Sequence, residues 1–291
     1  MTIQGEYKQL QYLFESAGSL PQLPKSPLKL SQMLDSTDSS PIRIEELILS
    51  DPALTAGLLR SASSIYHARS RPVTTVRESI MVLGFRSLRS LAIALWTQSL
   101  IVEASRKSFF DANRFTKNGS FVGYFSSVLI EDLGASKSSW SREEVYAGGV
   151  LCNISCGLLA VLHPAAFDAV YSLALKRNWS LEKAFHERYD HEISELGPLA
   201  TQALGLPDIF EAVVAHVDYP QGAMDLFHPL AILNYAKALA DANGFGLQRW
   251  DIEFSVSGAV LELVDLTEER INEIVTDSRK HTLLHCPASA A

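Results

Sequence analysis

Apolar residues recur along most of this chain at intervals of three and four, the period of a helix with one buried face. Tyr7, Leu10, Leu13 and Phe14 form the first stripe, predicting a short helix over residues 1–18 that closes at Gly18 and caps the bundle after it. Leu20-Pro21-Gln22-Leu23-Pro24 reads as extended, because proline is excluded from helix interiors and restrains the residue before it. Ser26 and Pro27 open a helix carrying Leu28, Leu30, Met33 and Leu34. Asp51 is placed to cap a longer helix, with Pro52 at its first position and Leu54, Leu58 and Leu59 on its inner face. Leu83-Gly84-Phe85 predicts a tight corner before an apolar run from Leu88.

The second half follows the same grammar. Asp111 is set to cap a helix to about Leu133, and Ser141 with Glu144 has capping-box spacing. Residues 145–162 are an uncharged run of 18, at the lower limit for a membrane span. Asn153, Ser155 and three glycines within it point instead to one fully buried core helix. His163-Pro164 ends that helix, and the next runs from Ala165 to Arg177. Ser180 caps another, and a helix from about His191 to Leu204 stops at Gly205. Pro207-Asp208 opens one more, and Pro220-Gln221-Gly222 is a turn. Three helices, near residues 229–243, 255–264 and 267–280, finish the pattern. Alternation hints at a strand only around Phe254, no repeat is visible, and a disordered tail is expected over 287–291. The fold class expected is all-α.

Composition narrows the function classes. With 291 residues, 47% of them hydrophobic and 20% charged, the chain can bury a large core. A net charge of −8 argues against a general nucleic-acid binder. Arg69, Arg71, Arg77, Arg86 and Arg89 cluster in sequence and read first as solvated helix faces; Arg86 and Arg89 are the candidates for a partner or anion surface. Three cysteines give no paired framework and fit a reducing cytoplasm. Gln4, Glu6 and Lys8 interrupt the N-terminus before a signal core, so no membrane association is expected.

The order of Leu20-Pro21-x-Leu23-Pro24, Ser50-Asp51-Pro52-Ala53-Leu54, Leu58-Leu59-Arg60-Ser61-Ala62, Arg71-Pro72-Val73 and Ile80-Met81-Val82-Leu83-Gly84-Phe85 resembles the HDOD family, the HD-related output domains of bacterial signalling proteins. The resemblance covers about residues 20–220. It implies an N-terminal bundle (20–105) packed on a degenerate HD-like bundle (106–220). Residues 1–19 form a leading helix, and residues 221–291 add C-terminal helices as a lid or a dimer contact.

HD-type phosphohydrolases hold one or two divalent metals with a His, a His-Asp pair and a later Asp, since imidazole and carboxylate ligands must converge to activate a water. Set on that pattern, the resemblance assigns the first His position to Asn118 and the His-Asp pair to Cys152-Asn153. A further His position falls at Ile193, a paired-His position at His216 and the final Asp at Lys237. Isoleucine cannot ligate, an ammonium repels a cation, and no His-Asp dipeptide occurs anywhere in the chain. The expectation is therefore no cofactor, no metal and no catalytic residue, in a signalling module that binds a protein partner or a second copy of itself.

Two other readings stand beside it. One is an HD-type phosphohydrolase acting on a nucleotide or cyclic dinucleotide; the other is a sensor holding a small anion on Lys237 and His216. Lys237 either snorkels to solvent or pairs with a carboxylate such as Asp218. Cys152 and Cys156, one helical turn apart, read as core thiols before they read as a zinc pair. His186, Asp190, His191 and Glu192 read as a solvated face, with a surface metal site as the sharper alternative. No nucleophile elbow or phosphate loop is present.

Overall fold

The computed structural model describes residues 3–16, 33, 40–65, 73–104, 108–134, 138–203, 206–250 and 256–286. The strand expected near Phe254, the tail over 287–291 and, Met33 apart, the helix opened by Ser26 lie outside them. Among the described residues the regular elements are helices and no strand. They are α1 (Ile3–Glu15), α2 (Pro41–Leu49), α3 (Pro52–Ile65), α4 (Val76–Ala104), α5 (Ala112–Asp132), α6 (Arg142–Leu151), α7 (Ile154–Leu162), α8 (Pro164–Arg177), α9 (Leu181–Tyr189), α10 (Leu196–Ala203), α11 (Asp208–His216), α12 (Phe227–Ala242), α13 (Gly258–Leu263) and α14 (Glu268–His285).

Local chemistry sets most of the boundaries. The Asp51 carboxylate accepts from the Leu54 N–H at 3.0 Å, and Asp111 accepts from Asn113 and Arg114 at 3.1 and 3.0 Å. Ser141 and Glu144 close a capping box, each side chain taking the other's backbone N–H. Gly84 adopts φ 72°, a left-handed conformation open to glycine, and the two arms of α4 meet there at 113°.

Residues 143–160 are buried throughout and form the spine of the molecule. The run Arg142–Leu162 is apolar and long enough to cross a membrane, but 89% of it is buried inside the fold. It is also not the single helix expected: α6 ends at Leu151, Asn153 takes φ −111° and ψ 23°, and α7 starts at Ile154. The Asn153 side chain does not cap α7, because its amide is spent sideways on α5. Two apolar cores meet along this bent spine. One gathers α1 to α4 with α7 to α11; the other gathers α5, α6, α12 and α14.

α5 and α6 approach backbone to backbone. A Cβ on Gly149 would fall 2.5 Å from the Gly123 nitrogen, one on Gly123 would lie 2.8 Å from the Tyr146 carbonyl, and one on Gly119 would lie 2.8 Å from the Val150 carbonyl. α14 covers α5 from outside, through Ile274 and the stacked rings of His281 and Tyr124, with Arg270 bound to Asp132 at 2.7 Å.

Among the described residues, α1 packs chiefly on α7, α9 and α10, and its buried face joins the core that α2 to α4 also build. Its polar edge is matched there: the Tyr7 hydroxyl donates to Glu195 at 3.2 Å, Arg188 reaches Glu6 at 2.9 Å, and the His191 ring stacks on Tyr7 at 3.7 Å. One further expectation needs correction, the start of the helix after His191. The helix expected from His191 instead begins at Leu196, after a 3-10 turn over Ile193–Glu195, because Glu192 and Glu195 form their own capping box.

Gly149→Ala drives a methyl into backbone that cannot swing aside. Overpacking of that kind should outweigh alanine's helix advantage and cost about 2 kcal/mol net. Calorimetry should show the melting midpoint lowered by about 4–8 °C. Gly258→Ala, with nothing within 4 Å of the new methyl, should leave it unchanged or slightly raised.

Candidate functional site

The bend at Cys152-Asn153 sets two side chains against Asn118 of α5. Asn153 Nδ2 donates to Asn118 Oδ1 at 2.7 Å, and the Cys152 thiol points at the same oxygen at 3.9 Å. Asn118 Nδ2 in turn donates to the Phe245 carbonyl at 2.9 Å. All three side chains are buried, so each amide must find its partner within the protein. Three of the positions singled out in the sequence thus form one hydrogen-bonded group.

Lys237 stands on α12, 5% exposed, and its Nζ lies 2.5 Å from Asp218 Oδ1. Asp218 follows α11 in a loop that Asn234 steadies by donating to the Val217 carbonyl at 2.9 Å. Of the two pairings open to Lys237 in the sequence, the carboxylate is the one it makes. One turn further on, Asp241 shares the face of α12 that carries Lys237. Burial alone would push the Lys237 ammonium down, but Asp218, Cys152 and Glu182 together hold it above its ordinary value. Burial, with Glu182 and Asp218 adding to it against Lys237 and Arg114, pushes Asp241 up to about 7. Burial pushes the Cys152 thiol up to about 12 against the pull of Lys237. The Glu182 carboxyl is also raised, by burial and then by Asp218, with Lys237 opposing.

The remaining singled-out positions lie apart from these contacts. Ile193 is buried in the 3-10 turn before α10. His216 ends α11 half-buried, its ring beside Gly222. Arg89 is half-buried and already engaged within the fold, while the Arg86 side chain lies outside the described residues. Cys156 is buried in the other core from Cys152. His186 pairs with Glu192 and His191 with Glu195, each at 3.0 Å, on the protein's exterior. Glu182, Asp241, Arg114 and Phe245 were not singled out in the sequence, although the four-residue spacing of Lys237 and Asp241 was a signal for the second of them.

The donor set does not fit a divalent metal. Asn118 and Asn153 are spent on each other and on Phe245, burial pushes the Cys152 thiol up to about 12, and the Lys237 ammonium stands close by, paired with Asp218. Among the described residues, no group of three or more His, Cys, Asp or Glu is arranged to hold a metal ion.

The HDOD domain profile matches residues 20–220 of the chain. A Geobacter sulfurreducens HDOD domain protein with unknown function has a similar structure, with a TM-score of 0.72 at 17% identity over 97% of this chain and 98% of that one. A Shewanella amazonensis SB2B protein provisionally named a phosphohydrolase gives 0.65 at 22% identity over 94% and 96%. A Marinobacter aquaeolei VT8 protein provisionally named for signal transduction gives 0.66 at 20%, over 92% of this chain but 59% of its own. At these identities the likeness is one of fold. Among curated proteins, no relative matches the sequence.

The ion pair is unequal, since the Lys237 side chain is 7% exposed and that of Asp218 39%. Asp218→Ala strands a buried ammonium and should cost about 3 kcal/mol. Lys237→Met leaves a carboxylate that water can reach and should cost about 1 kcal/mol. Urea titrations of the two variants check the order; equal losses would mean that the pair is not seated in this way.

Proposed function

The chain belongs to the HDOD domain family, and we propose that within it this protein is a non-catalytic regulatory module that acts by binding a protein partner. One observation carries the reading: Lys237, which on this reading takes the place of the HD pattern's metal-binding carboxylate, is buried and committed to Asp218 at 2.5 Å. A fixed internal cation opposes a divalent ion by simple repulsion. The same commitment weighs against a small-anion sensor, because Lys237 already has its anion.

The surface supports partner binding. Met81 and Phe85 flank the Gly84 corner and are 80% and 43% exposed, apolar area of the kind that the centre of a protein interface buries. The cysteines are unpaired thiols, which suits a reducing compartment such as the cytoplasm. The phosphohydrolase reading draws on the provisional name of the Shewanella relative, said of that protein; the polar group here lacks the imidazole and carboxylate set such chemistry needs.

Metal analysis of protein purified without an affinity tag should give well under one iron, manganese or zinc per chain. Hydrolysis of phosphodiesters, cyclic dinucleotides included, should not depend on a chelator. A co-purifying protein partner should be lost with Met81→Asp while the fold remains intact. Stoichiometric metal together with hydrolysis abolished by chelation overturns this reading in favour of the enzyme.

A further inference from the structure

Residues 243–250, between α12 and the described C-terminal helices, lie across the polar group as a non-helical segment. Gly244 turns the chain at φ 81°, and the Phe245 N–H bonds back to the Ala240 carbonyl at 2.8 Å. The Phe245 ring then stacks on Phe121 of α5, with centroids 5.0 Å apart. Beyond this turn the segment is fastened mainly by side-chain hydrogen bonds, some from α5 onto its carbonyls and some from its own side chains outwards. Asn118 donates to the Phe245 carbonyl at 2.9 Å; Arg114 donates to the carbonyls of Gly246 at 3.1 Å and Gln248 at 2.6 Å. Arg249 reaches Asp111 at 2.8 Å, and the Trp250 indole donates to the Trp179 carbonyl at 2.9 Å. A segment held by a few polar contacts, without helical hydrogen bonds of its own, belongs to the low-stability end of a structure.

Beneath it lies Asp241. Its carboxylate packs so closely under Gly246 that a Cβ there would overlap the oxygen. Among the described residues, the charged groups that bear on Asp241 come from four elements: Lys237 on α12, Asp218 after α11, Glu182 on α9 and Arg114 on α5, with the Cys152 thiol at the end of α6 interacting with Lys237. Glu182 and Asp218 oppose its charge and Lys237 and Arg114 favour it, while Arg114 also donates to two of the segment's carbonyls.

We propose that residues 243–250 are a strap holding the degenerate pocket shut, and that the charge on Asp241 beneath Gly246 sets how firmly the strap is held. With Asp241 neutral, the strap sits over an uncharged acid. With Asp241 ionised, a half-buried anion under Gly246 is opposed by Glu182 and Asp218, and lifting the strap lets water solvate it more fully. Asp241 titrates near 7 when covered and near its ordinary value when open. An acid raised in the closed form stabilises that form at low pH, and the stabilisation is lost as pH rises towards 7, levelling off above it. The strap is independent of the partner-binding reading, since it concerns access to the pocket and not what the pocket or the Met81 surface recognises.

Amide hydrogen exchange on the full chain, corrected for the intrinsic rate, tests it. Protection over residues 244–250 should fall about tenfold between pH 6 and pH 8, while residues 143–160 keep theirs. Asp241→Asn, neutral at both pH values, should hold the strap equally at both. Gly246→Ala, whose methyl meets the carboxylate, should leave the strap unprotected at both with the spine still protected. Flat protection in the wild type, a pH dependence that survives Asp241→Asn, or a strap still seated in Gly246→Ala each overturns the proposal.

Discussion

The contact between α5 and α6 is the constraint on which the rest of the molecule depends. Gly119, Gly123 and Gly149 let two helix backbones touch, and no side chain can stand in that seam. Because the seam fixes α6 against α5, the residue after its end is fixed too. Asn153 therefore meets Asn118 at hydrogen-bonding distance, and the spine bends there instead of running straight to Leu162. The same closeness excludes water from the amide pair, which makes its mutual satisfaction obligatory.

Around the bend, polar residues lie where two apolar cores meet. Burying charge in such a place is costly unless it is balanced, and Lys237 with Asp218 balances most of it. The remainder falls on Asp241, pushed up to about 7 by burial and its acidic neighbours. Here the charges that bear on one another are an ammonium and carboxyl groups of the chain itself, one of them, Asp241, raised by burial and its acidic neighbours.

Membership of the HDOD family and the likeness of fold to HDOD domain proteins place the chain among signalling-related helical proteins, some of whose structural neighbours carry phosphohydrolase names. The amide, thiol and ammonium groups of Asn118, Asn153, Cys152 and Lys237 are engaged with other groups of the protein.

The sequence by itself determined most of the helices and many of their starts, α2 excepted, because a cap is a contact between residues two or three apart. Asp51, Asp111, Ser141 with Glu144, and Ser180 each act where their spacing says. The family pattern was likewise legible, since it is an order of residues. Only the tertiary structure decided that α1 docks on α9 and α10, that the buried run breaks at Cys152-Asn153, and that Phe245 lends its carbonyl to Asn118. These contacts join residues far apart in the chain, and a backbone carbonyl leaves no mark in a sequence. The raised pKa of Asp241 belongs with them, because it comes from burial and from Glu182, 59 positions away along the chain. Periodicity says which face of a helix is buried; what that face meets is settled by packing alone.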